Sequence, residues 1–291
     1  MLLIHINYII FLDLWMHTHE GITMATQLNP DLTLFVMIDG LRPDVLTQAS
    51  CPTLAALINR GASTLTASSI MPSVTLPCHT SIFHSVPPTR HGITSNDWHP
   101  MARPLPGLFD VVEAARKRSV ALYNWEPLRD LGRPGTLDAS YFRKCATDAA
   151  GDDWITEMAL HHLTNYVTDF AFIYYGTVDE MGHKHGWMSD GYLRQVERVD
   201  RSFGQLLTEL PESIHLLAQA DHGGHERSHG TEMSEDMTVP WIIAGPQIRQ
   251  NYQIQQAVSL LDTAPTLARL LNLSCPKEWE GSCVDEVFIE G

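Results

Sequence analysis

Cationic side chains are scarce in this sequence. Lysine and arginine total 19 against 34 aspartates and glutamates, a formal charge of −15 with histidine neutral. So acidic a surface repels a phosphodiester backbone, which excludes stable binding of DNA or RNA as the main function. It does not exclude a small phosphate-bearing molecule, because a bound metal ion reverses the field locally. Cysteine is scarce too. Cys51, Cys78, Cys145, Cys275 and Cys283 are spaced irregularly and form no CxxC pair, which excludes a zinc ribbon or a thioredoxin-type motif. A Cys275–Cys283 pairing and a reducing compartment both stay open. Repeats, low-complexity tracts and charge runs are absent.

Long apolar runs are missing as well. The opening MLLIHINYIIFLDLW is apolar from Leu2 to Leu12, too short to span a bilayer. It lacks the basic flank and small-residue cleavage site of a signal peptide. No membrane span is expected. Residues 1–23 read as an ill-ordered leader, with Met24 as a natural start and 24–291 as one folded domain. A cytoplasmic location is the expectation and a degenerate export signal the alternative.

What is present is an alternation of strands and helices. Leu32–Ile38 and Phe170–Tyr175 are continuous apolar runs, as strands buried on both faces should be. Further strands are expected at Ser63–Ser69, Val120–Tyr123, Ile214–Gln219 and Val239–Ala244. Helices are expected at Thr53–Asn59, from near Pro77, at Leu108–Lys117, Asp152–Tyr166, Gly191–Leu210, and from an Asp262 cap through Leu271. Residues 124–150, rich in Pro, Gly and Asp, read as a loop or small cap. Alternating βα units imply a largely parallel sheet covered on both faces.

Polar residues of chemical interest follow the strand ends: Asp39 after the first run, Asp179 after FAFIYY, and Asp221-His222 after IHLLAQ. Ligands gather beyond the carboxyl ends of parallel strands, so the three acids are expected to converge. Asp179 and His183 lie four residues apart and would share a helix face. Carboxylate oxygen and imidazole nitrogen suit zinc, and the chain offers ligands enough for two ions. PSVTLPCHTS places Thr75 ahead of the helix expected from Pro77, where free N–H groups favour a negative oxygen. Next to a metal that hydroxyl becomes a candidate nucleophile.

Taken in order, IDGLRPD, PSVTLPCHTS, HGITSNDW, GTVDEMGHKHG, ADHGGHERSHG and DTAPTLARLL resemble the alkaline phosphatase superfamily, in particular its nucleotide pyrophosphatase/phosphodiesterase branch, from about Leu32 to Leu271. The resemblance implies a three-layer α/β/α sandwich, with a reduced cap because the chain is shorter than most members. It implies two Zn²⁺ ions, with Mn²⁺ possible, flanking a threonine nucleophile. One ion would be held by Asp39, Thr75, Asp221 and His222, the other by Asp179, His183 and His229, and Asn96 would donate to a phosphate oxygen. His229 is preferred to His225 for its HGT context. The implied activity is hydrolysis of phosphodiester or nucleotide pyrophosphate bonds through a phospho-threonine, on a small phosphate ester or nucleotide.

Blander readings stand beside these. Thr75 also suits a helix cap. Cys78 lacks a base and reads as packing. His79 either orients the nucleophile loop or packs, and Arg42 either clamps a second phosphate or pairs with Asp44. His185 and His225 read as supporting or surface groups. The same site would serve a phosphomonoesterase or phosphonate hydrolase, and an inactive metal-binding protein is the alternative of another class. A sulfatase is excluded because Thr75-Leu76-Pro77-Cys78-His79 cannot form its C/S-x-P-x-R motif. A phosphomutase would need a second large domain.

Overall fold

The computed structural model describes residues 28–97, 99–133 and 135–289. The leader reading of residues 1–23 lies outside them. One sheet holds eight strands: β1 (Thr33–Ile38), β2 (Ala62–Ser68), β3 (Ser119–Tyr123), β4 (Ala139–Phe142), β5 (Phe170–Tyr175), β6 (His215–Gln219), β7 (Thr238–Ala244) and β8 (Tyr252–Gln253), in the order β4-β3-β5-β1-β6-β7-β2-β8. Every pairing is parallel except those of β7, which runs against β6 and β2. Every residue of β1, β3 and β5 is buried. That is why these strands read as unbroken apolar runs and not as alternating ones.

Seven helices of seven residues or more cover the sheet among the described residues: α1 (Pro52–Arg60), α2 (Thr75–His84), α3 (Leu108–Ala114), α4 (Gly151–Asn165), α5 (Thr177–His185), α6 (Asp190–Thr208) and α7 (Thr263–Leu270). Helices α1, α4 and α5 pack against α6, while α2, α3 and α7 pack together, giving the three-layer sandwich of the expected class. Aromatic rings weld α2 to the sheet. Phe83 lies 5.9 Å from Phe35 and 4.9 Å from both Phe172 and Phe109.

Three local readings change. Helix α2 begins at Thr75 and not near Pro77. Proline fits the first turn of a helix, where its missing N–H has no partner to lose. Asp262 does not cap α7 with its side chain. Its carboxylate instead accepts Ser259 N and Ser282 N, both at 2.8 Å. Within 124–150 the sheet gains β4, a half-exposed edge strand beside β3, whose weak apolar pattern hid it.

Candidate metal centre and nucleophile

The three central strands, β5, β1 and β6, are neighbours in the sheet, and each delivers one acid at its carboxyl end. Asp39 follows β1, Asp221 follows β6, and Asp179 opens α5 just after β5. Gly40 makes the turn behind Asp39 with φ +68°, and an added Cβ would lie 3.0 Å from Asp179. Only glycine combines that backbone with that approach.

Three histidines close on the acids with the same tautomer. Nδ1 lies within donating range of a backbone carbonyl in each: His183 to Arg227 at 3.0 Å, His222 to Gly223 at 2.8 Å and His229 to Ser73 at 2.8 Å. A carbonyl only accepts, so Nδ1 carries the proton and Nε2 presents a lone pair. Those Nε2 atoms face carboxylate oxygens. His222 lies 3.3 Å from Asp39 and 3.4 Å from Asp221, His183 lies 3.4 Å from Asp179, and His229 lies 3.6 Å from Asp179. Lone pairs facing anions call for positive charge between them.

The buried oxygens agree. Asp39 Oδ1, Asp179 Oδ1 and Asp221 Oδ2 have no hydrogen-bond partner among the described residues. Burial first, then mutual repulsion, holds Asp39 well above the usual carboxylate range. Asp179 is raised by burial and by Asp221, and Asp221 chiefly by burial. Burial lowers His222 to about 4 and His229 to about 3. A site that disfavours both carboxylate charge and imidazolium is short of cations and fits divalent metal. Asp179, His183 and His229 form one set able to hold an ion, and Asp39, Asp179 and His222 a second. Asp179 thus touches both sets. Asp221 belongs to neither set but approaches His222 of the second at 3.4 Å.

Thr75 heads α2, with Oγ1 3.2 Å from His222 Nε2. Asn96 Oδ1 accepts from Leu76 N at 3.0 Å, which leaves its amide N–H groups for another partner. His79 is fully buried. Its Nδ1 reaches Thr75 O at 2.8 Å and lies 3.4 Å from Asp221, and its ring meets Tyr174 edge-on. It therefore both packs and braces the turn at Thr75. Arg42 pairs with Asp44 and donates to Gly224 O, and His225 bonds Asp236 at 2.7 Å. Cys78 is buried, and burial pushes its thiol far up. Cys275 and Cys283 are both free.

Four supporting residues escaped the sequence reading. Tyr174 OH donates to Asp39 Oδ2. Trp187 Nε1 donates to Gly40 O at 2.9 Å, while its ring lies against Gly182 and Gly224. Asp152, raised by burial to about 6, accepts Gly176 N and Thr177 N at 3.1 Å each and so holds the start of α5. Asp236 closes the loop carrying His229 by accepting Thr231 N at 2.9 Å. A cavity of about 180 Å³ opens beside α2, lined by Leu76, Thr80, Ile93, Met101, Leu105 and Leu131 among others.

The family model for type I phosphodiesterase/nucleotide pyrophosphatase matches residues 33–239. The 2,3-bisphosphoglycerate-independent phosphoglycerate mutase of Gracilaria tenuistipitata var. liui is 26% identical over 133 residues, 44% of this chain and 26% of that protein. GPI ethanolamine phosphate transferase 2 of Yarrowia lipolytica is 24% identical over 310 residues, 91% of this chain and 34% of its own length. The chain thus spans about a quarter to a third of these curated relatives. Among solved structures, inactive murine ectonucleotide pyrophosphatase/phosphodiesterase 5 in complex with AMP superposes with TM-score 0.74 at 16% identity, covering 89% of this chain and 100% of that one. An alkaline phosphatase variant gives TM-score 0.75 at 13% identity, covering 89% and 99%. Among the described residues no helix is long and apolar enough to cross a membrane. With its family model spanning β1 to β6, Thr75 and all three histidines, the chain belongs to the type I phosphodiesterase/nucleotide pyrophosphatase family.

Proposed function

We propose that the protein is a divalent-cation-dependent hydrolase of phosphodiester or nucleotide pyrophosphate bonds that acts through Thr75. The observation that carries this reading is the convergence of three imidazole Nε2 atoms and three carboxylates on one pocket at the strand ends, buried at Asp39, Asp221 and His222 and open at His183, with Thr75 Oγ1 3.2 Å from His222. Asp39, Thr75, Asp221 and His222 would hold one cation, and Asp179, His183 and His229 the other. Imidazole-rich ligation favours Zn²⁺ over Mn²⁺. Bound there, two divalent ions supply Lewis-acid charge that acidifies the Thr75 hydroxyl and offsets phosphate charge.

The protein's own groups do the rest. The N-terminus of α2 stabilises the Thr75 alkoxide. Thr75 Oγ1 bonds to phosphorus as the ester or pyrophosphate oxygen departs, and water then cleaves the phospho-threonine to regenerate the hydroxyl. Asn96, anchored through Oδ1, donates its amide to a non-bridging oxygen whose charge grows. The apolar cavity beside Leu76 favours an organic substituent on phosphorus, which supports a diester over a monoester. The AMP-bound murine relative supports a nucleotide.

Metal analysis paired with rates on bis-p-nitrophenyl phosphate and p-nitrophenyl phosphate tests the reading. The diester is expected to lead by about tenfold or more in kcat/KM. Thr75→Ala is expected to lose about 10³-fold in rate. Faster monoester turnover would move the assignment to a phosphomonoesterase, and a fully active Thr75→Ala protein would overturn the nucleophile.

A further inference from the structure

On the far side of α5 from Asp179 and His183 lies a second cleft, with room for about 510 Å³. Its walls carry Lys184, His185, Arg194, Arg198 and Arg201. In a chain of net charge −15 with only 19 lysines and arginines, four of them on one cleft is a concentration that the overall composition opposes. None of the acids of α5 and α6 lines it; Asp148 is the single acidic lining residue. Asp153 engages Arg198 through two donors and draws on Arg201. Lys184 and Arg194 make no ion pair among the described residues. Both are exposed, as is Arg201.

The cleft floor is built. His185 lies against Gly191, where an added Cβ would come within 2.6 Å of the imidazole. Buried Gln195 spends its amide on Ala149 O at 2.9 Å and Thr177 Oγ1 at 2.6 Å, tying the 147–149 wall to both helices. Gly191 lies in the first turn of the 19-residue α6, so the positive end of that helix adds to the field. Unneutralised cations on neighbouring helix turns, over a fixed floor, cost repulsion unless an anion joins them.

We infer that this cleft binds the phosphate groups of a multiply charged phosphate compound, at a site separate from the metal centre. Lys184 and Arg194 supply the free donors, and Arg201 the third. The same chemistry is offered by a soluble pyrophosphate and by an anionic lipid headgroup.

The metal-loaded protein is titrated with inorganic pyrophosphate by calorimetry, and separately with phosphatidylcholine vesicles containing phosphatidic acid. R194E/R201E is compared with R116E/K277E, which carries the same net charge change away from the cleft. Binding of one probe is expected to weaken about tenfold or more in R194E/R201E alone, with the diesterase rate unchanged. Hydrogen-exchange protection is expected on residues 181–201. The probe that shows the loss identifies the ligand as soluble or lipid-borne. Titrations that superimpose for wild type and R194E/R201E, or saturable binding of neither probe, would overturn the site. Because the metal-centre rate is read in parallel, failure of the diesterase assignment is seen separately.

Discussion

Trp187→Phe tests whether one indole aligns the ligand-bearing loops. The ring touches the chain between Asp179 and His183 at Gly182 and the chain after His222 at Gly224, where added Cβ atoms would come within 2.6 and 2.2 Å of it. Its Nε1 holds Gly40 O, next to Asp39, at 2.9 Å. Replacing indole by phenyl removes roughly 40 Å³ of packed volume, worth about 1 kcal/mol as a cavity. The lost hydrogen bond adds about 1 kcal/mol. Gly40 O is not orphaned, because Tyr192 OH also donates to it at 2.9 Å, so the larger penalty of a bare buried carbonyl does not apply. The sum, about 2 kcal/mol, corresponds to a Tm roughly 4–8 °C lower in a domain of this size. Freeing these three segments misplaces both ligand sets together, and cation affinity is expected to fall about 10–100-fold. Scanning calorimetry measures the first effect and competition with a chromophoric chelator the second. The expected stability loss with unchanged cation affinity would refute the aligning role and leave Trp187 a packing residue.

Other outcomes follow from the same geometry. In chelated protein the raised Asp39, Asp179 and Asp221 bind protons more tightly when folded, so their stabilising contribution is present at low pH and lost as pH rises through the folded-state values; Asp39→Asn is expected to stabilise the metal-free form near pH 8 in urea denaturation while weakening cation binding. His222 and His229 are depressed to about 4 and about 3, so each contributes stability above the unfolded value of 6.5 and loses it on acidification; His229→Gln should flatten the decline between pH 6.5 and 4 by up to about 1.4 kcal/mol per pH unit, and an unchanged slope would contradict the assigned environment. Tyr174→Phe, which removes the donor to Asp39, should weaken cation binding about tenfold with the fold intact by circular dichroism. Leu105→Trp, filling the cavity beside α2, should lower diester kcat/KM about tenfold and spare p-nitrophenyl phosphate.

The fold was legible wherever burial was complete. FAFIYY and LTLFVMI announce strands covered on both faces, and the acids after them announce where those strands end. Helix α2 was dated two residues late because Pro77 marks a first turn without saying which position in it. Strand β4 alternates half-buried and exposed residues at the sheet edge, so neither period nor run length reveals it. Within the site, the ligand candidates were visible as Asp-His clusters. Most of their supports were not, since three of the four act across long sequence gaps: Tyr174 on Asp39, Asp152 on α5, and Trp187 on Gly40. Tyr174 looks like ordinary strand core, and only the fold reveals that its hydroxyl meets a carboxylate. The basic cleft was invisible for a similar reason, because Lys184 and Arg201 come to line one cleft only once α5 lies beside α6.

The central strand pairing has a further consequence. Ile38 is in register with Tyr175, and Met37 with Gln219, so the backbone ladder itself sets how far apart the three acids begin. A one-residue slip between these strands would displace an acid by about 3.3 Å and turn alternate side chains to the opposite face. Spacing within the pocket is therefore a main-chain property, insulated from most side-chain change. Drift in substrate preference has room to occur in the surrounding loops while the geometry at the strand tips stays constant.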